Sequence, residues 1–210
     1  MSAPARPDAH RRRTRWAAAA LVLAGVLVGV ALSWGGQAGL ARTNTTAFCI
    51  SCHEMKDNNY AEYSHTIHAS NRTGVQAGCG DCHVPHEFPD VLWRKLGAVN
   101  DLIGHWRGRL DTREQFEAHR LELARKVWLR MKQTDSRECR NCHHVEAMSA
   151  ELQGRTAQKQ HQRIGTDGKT CIDCHYGIAH QEPGNGAEPA DVMPPQAAAP
   201  GGPPAALRLR

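Results

Sequence analysis

The chain has 210 residues, only 5% of them aromatic, with eight cysteines, thirteen histidines and a formal charge of +5. So few aromatic side chains would make a poor protein-only core for this length, so we expect a cofactor to fill part of the interior. The basic residues are not interleaved with aromatic ones, which argues against a nucleic-acid-binding protein.

The N-terminus predicts a membrane anchor. Residues 1–15 carry five arginines, and residues 16–34 carry no charge. A helix of that length spans about 28 Å, close to the hydrocarbon thickness of a bilayer. Trp16 and Trp34 bracket it as interfacial aromatics do, and the arginine-rich end is expected in the cytoplasm. We therefore predict a single-pass signal-anchor over 16–36 in a bacterial inner membrane, with the rest of the chain in the periplasm. A cleaved signal peptide is the alternative, and its apolar core would be shorter.

One motif then occurs four times: every cysteine lies in a Cys-x-x-Cys pair, and a histidine follows each pair directly. The four copies are Cys49, Cys52 and His53; Cys79, Cys82 and His83; Cys139, Cys142 and His143; and Cys171, Cys174 and His175. This is the attachment signature of c-type haem, in which the thiols bond one porphyrin edge and the histidine binds the iron. A structural zinc site would leave the histidines without a role. We expect four covalent haem c groups to supply the missing core, and an apoprotein that does not fold.

The spacing of the motifs forms an internal repeat that predicts further iron ligands. Cys49 and Cys79 are thirty residues apart, and Cys139 and Cys171 are thirty-two apart. Each half also has a histidine ten or eleven residues before its second motif and another soon after that motif. Because four bis-histidine haems need four extra histidines, we predict as distal ligands His68, His86, His161 and His180. Three others stay open: His65 is an alternative to His68, whereas His105 and His119 lie in helical stretches without a partner in the repeat.

The segment between the halves predicts helices over 90–132. Thr112 and Gln115 form a capping box, and Phe116, Leu123, Val127 and Met131 recur at helical spacing. The expected fold class is mainly α with much irregular structure: one transmembrane helix and a small tetrahaem domain.

The predicted domain organisation has four parts. The cytoplasmic segment 1–15 precedes the anchor, and the haem domain covers 37–180. Its di-haem halves are 37–90 and 133–180. The remaining residues, 181–210, are rich in proline, alanine and glycine, which predicts a disordered tail.

Met55 singles out the first motif, because the other three motifs have no methionine at the corresponding position. A thioether on iron raises the reduction potential relative to imidazole. The alternative is that Met55 only packs beside the haem.

The segments CISCHEM, CGDCHVPHEF, FEAHRLELA, SRECRNCH and CIDCHYGIAHQ, behind one anchor, resemble the NapC/NirT family of membrane-anchored tetrahaem cytochromes c. The resemblance covers roughly residues 16–183 and points to the branch that serves the periplasmic nitrate reductase. It implies that the protein takes electrons from membrane quinol, either menaquinol or ubiquinol, and passes them to a periplasmic reductase such as the nitrate reductase complex. It also implies that Met55 can replace His53 on the first iron, and that Lys95 and Asp101 belong to a quinol site.

The expected function is therefore electron transfer with quinol dehydrogenase activity. Quinol would be oxidised at the haem of Cys49 and Cys52, and electrons would leave through the second half. The alternatives are an electron relay without its own quinol site, a donor to a nitrite or other periplasmic reductase, and a multihaem reductase of a small oxyanion. Four candidate distal histidines argue against the last, which needs an open iron.

Overall fold

The structure is a computed structural model that describes residues 8–164 and 168–192, and within these ranges it contains helices and turns but no strand. The α-helices, in chain order, are α1 (Asp8–Thr43), α2 (Thr46–Cys49), α3 (Ala61–Tyr63), α4 (Cys79–His83), α5 (Asp90–Gly97), α6 (Val99–Trp106), α7 (Arg113–Gln133), α8 (Arg137–Arg140) and α9 (Arg155–His161). A π-helical turn covers Met55–Tyr60, and short 3-10 turns cover Val145–Ala147, Cys171–Asp173 and Pro189–Asp191. The fold class is thus mainly α, as the sequence predicts.

Helix α1 is a compact unit of its own, separate from the unit that starts at Asn44. Its stretch His10–Thr43 is long and apolar enough to cross a membrane, with a mean hydropathy of 2.2, and it buries none of that surface inside the protein. The helix continues past residue 36, because residues 37–43 contain no proline and mostly helix-compatible side chains. The second unit therefore begins at Asn44 rather than at 37.

The di-haem repeat is visible in the hydrogen bonds of the second unit. A hydroxyl lies three residues before the first cysteine of each half, at Thr46 and at Ser136. The Thr46 Oγ1 accepts a bond from the Cys79 backbone at 3.2 Å. The Ser136 Oγ accepts one from the Ile172 backbone, also at 3.2 Å. Each hydroxyl thereby joins the first motif of its half to the second.

A second repeated contact fixes the start of the later motif in each half. The carboxylate of Asp81 accepts a bond from the Gly78 backbone at 2.7 Å, and that of Asp173 accepts one from the Thr170 backbone at 2.8 Å. Each aspartate satisfies a backbone donor at the N-terminal end of a short helical turn. The two halves therefore share local geometry as well as motif spacing.

Helix α7 supplies half of the buried apolar residues, namely Phe116, Trp128 and Met131. It begins at the predicted capping box, in which the Gln115 backbone donates to the Thr112 Oγ1 at 3.3 Å. Trp128 and Met131 on its inner face pack with Ile172 of the fourth motif. This small cluster ties the connecting helix to the second half.

Residues 181–192 belong to the folded unit, although the composition predicted disorder from 181 onward. Pro189 is fully buried, Val192 packs against the α7 core, and the Lys132 ammonium donates to the Pro189 carbonyl at 3.1 Å. Composition missed this because the ordering contacts come from α7, far away in sequence. Residues 193–210 lie outside the described part of the chain.

Candidate functional site

The four motif histidines each face another histidine. The ring centroids are 5.9 Å apart for His53 and His105, and 6.1 Å apart for His68 and His143. The remaining two pairs are His83 with His180 at 6.2 Å and His161 with His175 at 6.1 Å. All four pairs thus share one separation, although they come from different parts of the chain.

This separation fits an iron between the two rings. Two imidazoles that bind one iron from opposite sides have ring centres about 6 Å apart, because each Fe–N bond is about 2 Å and each ring centre lies about 1 Å farther on. Histidine rings that only packed against each other would not be expected to keep one common distance in all four pairs. The eight histidines therefore fit four bis-imidazole haem irons.

Three of the four predicted distal histidines lie opposite a motif histidine, and two of the pairs cross between the halves. His68 of the first half faces His143, and His180 of the second half faces His83. Only His161 faces a motif histidine, His175, of its own half. The repeat indicated these residues but not the exchange, because pairing depends on how the halves pack.

The structure does not bring His86 to a motif histidine; its Nε2 lies 3.7 Å from an oxygen of Asp81, and its side chain is half exposed. The fourth position is instead occupied by His105 of α6, opposite His53. Sequence reasoning passed over His105 because it has no counterpart in the second half. The signal that could have found it is its place on α6, off the apolar stripe of that helix.

Three of the paired histidines are held in the neutral form that can donate a lone pair to a metal. Burial, reinforced by the nearby Arg130 guanidinium, lowers the pKa of His83 to about 3. Burial also lowers the pKa of His68 and that of His180. An unprotonated ring is the state that iron ligation requires.

Hydrogen bonds at Nδ1 orient two of the distal rings. Gln153 Oε1 lies 2.8 Å from Nδ1 of His161, and Glu54 Oε1 lies 2.5 Å from Nδ1 of His105. Burial would raise the pKa of Glu54, but the bond with His105, a bond to its own backbone and the neighbouring His53 ring together hold that pKa below its usual value. A partner at Nδ1 fixes the ring and leaves Nε2 to face the opposite histidine.

The attachment cysteines of successive motifs are neighbours in space. Cys49 of the first motif lies beside Cys79 of the second, and Cys139 of the third lies beside Cys171 of the fourth. Helix α4 of the second motif packs against α8 of the third. The four attachment points therefore form a continuous series from the first motif to the fourth.

Carboxylates border the first of these sites. The Nε2 of His53 lies 3.5 Å from an oxygen of Asp111 and 3.6 Å from one of Glu54. Met55 starts the π-helical turn and is 39% exposed.

The two residues expected at the quinol site lie on different helices. Lys95 of α5 is half-buried, and burial lowers the pKa of its ammonium group. Asp101 is exposed on α6, and its charge acts on Arg130. The helix breaks at Ala98 between the two residues, so their side chains are not held at the fixed angle of one continuous helix.

The other candidate histidines have different surroundings. His65 is exposed, and Nδ1 of His119 lies 2.8 Å from the Gln115 carbonyl one turn earlier in α7. Neither ring takes part in the four pairs.

A helical domain with four Cys-x-x-Cys-His motifs and four imidazole pairs, behind one apolar helix, defines a membrane-anchored multihaem cytochrome c. The family model described as "NapC/NirT cytochrome c family, N-terminal region" matches residues 11–185. The chain therefore belongs to the NapC/NirT cytochrome c family, and it is a tetrahaem c-type cytochrome.

Several curated proteins are similar over most of the chain. The "Denitrification system component NirT" of Stutzerimonas stutzeri is 51% identical over 83% of this chain and 87% of its own length. The "Cytochrome c-type protein NapC" of Haemophilus influenzae is 50% identical over 82% and 86%. The "Cytochrome c-type protein TorC" of Escherichia coli is 44% identical over 83% of this chain and 45% of its own length. No solved structure matches the chain.

Proposed function

We propose that the protein oxidises membrane quinol and delivers the electrons to a periplasmic terminal reductase. The observation that carries this proposal is the position of the first motif in the chain. Cys49 comes six residues after the end of α1 at Thr43, so the first haem can lie at most about 20 Å of chain from the anchor. Quinol stays in the lipid, so the first haem is the one that it can reach.

The orientation follows from charge. The five arginines before α1 place that end in the cytoplasm by the positive-inside rule, and the haem domain then lies in the periplasm.

The proposed ligands combine the motifs with the imidazole pairs. The motif cysteines would hold the porphyrins by thioether bonds. The histidine pairs that would hold the four irons are His53 with His105, His83 with His180, His143 with His68, and His175 with His161. Haem supplies one-electron chemistry when bound, and the chain fixes the order in which the four sites follow one another. His105 thus replaces His86 in the set expected from the repeat.

The quinol site is proposed at the first motif, with roles for Met55, Lys95 and Asp101. A half-buried ammonium such as that of Lys95 can donate a hydrogen bond to a quinol oxygen. Quinol oxidation releases two protons, and an exposed carboxylate such as Asp101 can accept one and pass it to water. With His53 and His105 on the iron, Met55 acts at the haem edge rather than as a ligand.

The expected partner is a periplasmic nitrate reductase, as the similarity to the NapC proteins suggests. The similarity to NirT, named as a denitrification component, makes a nitrite reductase the second candidate.

Reduction by quinol alone tests the proposal. The full-length holoprotein in nanodiscs should be reduced by a menaquinol or ubiquinol analogue, followed by its haem absorbance. Adding nitrate and purified periplasmic nitrate reductase should then reoxidise it. A protein that dithionite reduces but neither quinol reduces would be a relay, and the proposal would be wrong.

Met55→Leu tests the entry site, because it keeps the bulk of the side chain but removes the sulfur. We expect slower quinol-dependent reduction with unchanged dithionite reduction of the other three haems. Met148→Leu makes the same change away from the first motif and should leave the quinol rate unaltered. Wild-type quinol kinetics in Met55→Leu would reduce Met55 to a packing residue.

A further inference from the structure

Helices α5 and α6 carry an exposed apolar surface. It consists of Leu92, Trp93, Leu96, Val99, Leu102 and Trp106, which we call the hairpin face. These side chains are 38% to 79% exposed, and both tryptophans exceed half. Contiguous apolar surface of this kind marks an interaction site in a folded protein.

The polar and apolar faces of α5 are oriented opposite to those of a helix surrounded by water. Its inward side holds Val91, which is buried, together with the charged residues Arg94 and Lys95. The Arg94 guanidinium donates to the His83 carbonyl at 3.2 Å. At 100° per residue, Leu92, Trp93 and Leu96 point to roughly the opposite side. Charged side chains thus face the haem domain and apolar ones face away from it.

Helix α6 continues the same surface. Val99, Leu102 and Trp106 recur at intervals of three and four residues, within about 60° of one another around the helix. His105 of the same helix turns inward to Glu54. The face that α6 presents outward is therefore separate from the side that serves the first haem.

We propose that the hairpin face lies in the headgroup region of the lipid bilayer in which α1 is anchored. Tryptophan and leucine on one face of a short helix, with basic residues beside it, are typical of helices that lie in the membrane interface. Arg107 and Arg109 follow α6 directly and are exposed, where they can contact anionic headgroups.

The chain itself brings a bilayer to this unit. Only Asn44 and Thr45 separate the end of α1 from the start of α2, so the chain tethers the start of this unit to the anchor. A lipid surface is therefore always near this unit, whereas a protein partner is present only when bound. The inference rests on membrane anchoring and not on quinol oxidation. An experiment can therefore contradict this inference without contradicting the proposed quinol oxidation, and the reverse.

Site-specific labelling of the full-length holoprotein in nanodiscs tests the proposal. Haem attachment uses the eight native thiols, so an introduced cysteine provides the thiol that reacts. Leu102→Cys probes the hairpin face, and Leu152→Cys is the matched control at a position that is 89% exposed. The nanodiscs contain phosphatidylcholine and phosphatidylglycerol, with a fraction of phosphatidylcholine that carries a photoreactive acyl chain.

A charged, membrane-impermeant maleimide should react at least about tenfold more slowly at 102 than at 152, because burial of a leucine-sized side chain in lipid is favoured by such a factor. Each rate is normalised to the rate of the same variant in denaturant. Illumination of the wild-type chain should give lipid adducts on the peptide that contains α5 and α6. Equal labelling at the two positions overturns the proposal. Slow labelling without lipid adducts also overturns it, because the face is then covered by protein or haem. If Leu102→Cys does not assemble, Leu96→Cys serves in its place.

Discussion

His105 and His86 differ in what surrounds their rings, and this difference decides which one can hold an iron. His105 is oriented by the buried carboxylate of Glu54 and faces His53 at 5.9 Å between centroids. His86 is half exposed beside Asp81. A ligand must be held in one orientation at low entropic cost, and only the first environment does this.

Replacing His105 by alanine should therefore convert one of the four low-spin haems to a high-spin form, because the iron loses an axial bond. Electron paramagnetic resonance of the ferric holoprotein measures this. His86→Ala is the control and should leave all four haems low-spin. The reverse outcome would restore the ligand set that the repeat alone predicts.

Most of the ligands could be predicted from the sequence, because the motifs and their repeat are defined by residue spacing alone. The covalent cysteines, the motif histidines and His68, His161 and His180 were all accessible in this way. The exchange of His68 and His180 between the halves could not be read, because it depends on packing. His105 was left open by the sequence, because it has no counterpart in the second half and its partner Glu54 is 51 residues away.

At the scale of elements, one buried charge network holds α7 to the loop that carries His180. The side chains of Glu62 and Arg120 are 7% and 8% exposed and form an ion pair. The Glu62 carboxylate also accepts a bond from the Gln181 backbone at 2.9 Å, and Arg120 donates to the Gln181 carbonyl at 3.1 Å. The pair thereby fixes the residue next to His180.

Glu62→Gln should destabilise the holoprotein by about 1–3 kcal/mol, because Arg120 keeps its pair with Glu117 but loses its buried charged partner. Guanidinium unfolding followed by far-UV circular dichroism measures the change. Glu122→Gln is the control: it removes an exposed pair with Lys126 and should cost about 0.3–0.5 kcal/mol. Equal effects of the two substitutions would show that burial of the Glu62 pair is unimportant.

The same pair predicts an acid sensitivity. Burial opposes ionisation of Glu62, but the Arg120 hydrogen bond and the Gln181 backbone bond outweigh it, so its pKa lies below the usual value. A depressed folded pKa gives stability that is complete above the unfolded glutamate pKa of about 4.3 and is lost as the pH falls toward the folded value. Glu62→Gln should lose less unfolding free energy than the wild type between pH 5 and 3, a range chosen to span about one unit on each side of that pKa.

Helices α5 and α6 show the limit of what the sequence pattern predicts. Their amphipathic periodicity predicts helices and one apolar face for each. The periodicity does not predict which way that face points. In a soluble protein the apolar face of such a helix is expected to point toward the core. Only the contacts of Arg94 with the His83 backbone and of His105 with Glu54 show that the polar side faces the haem domain.

At the scale of the whole molecule, the protein core is small. The buried apolar residues in the described ranges are Val84, Val91, Phe116, Trp128, Met131 and Ile172. Six such side chains cannot offset the conformational entropy of a domain of this size. We expect the four porphyrins to supply the missing apolar surface, as the composition predicts.

The protein made in cells that lack haem attachment should therefore show no cooperative thermal unfolding by circular dichroism, whereas the holoprotein should unfold cooperatively. The domain with all eight cysteines replaced by serine provides the same comparison in normal cells. A cooperative transition in either haem-free form would show that the polypeptide core is sufficient by itself.

The central claim is that four irons each lie between two imidazoles, in a series that starts beside the membrane anchor. Near-infrared magnetic circular dichroism of the ferric holoprotein tests it most directly, because the charge-transfer band distinguishes bis-histidine from histidine–methionine ligation. We predict bis-histidine intensity equal to four haems per chain. A methionine-ligated band, or bis-histidine intensity for only three haems, would contradict the pairing of His53 with His105 and return Met55 to the first iron.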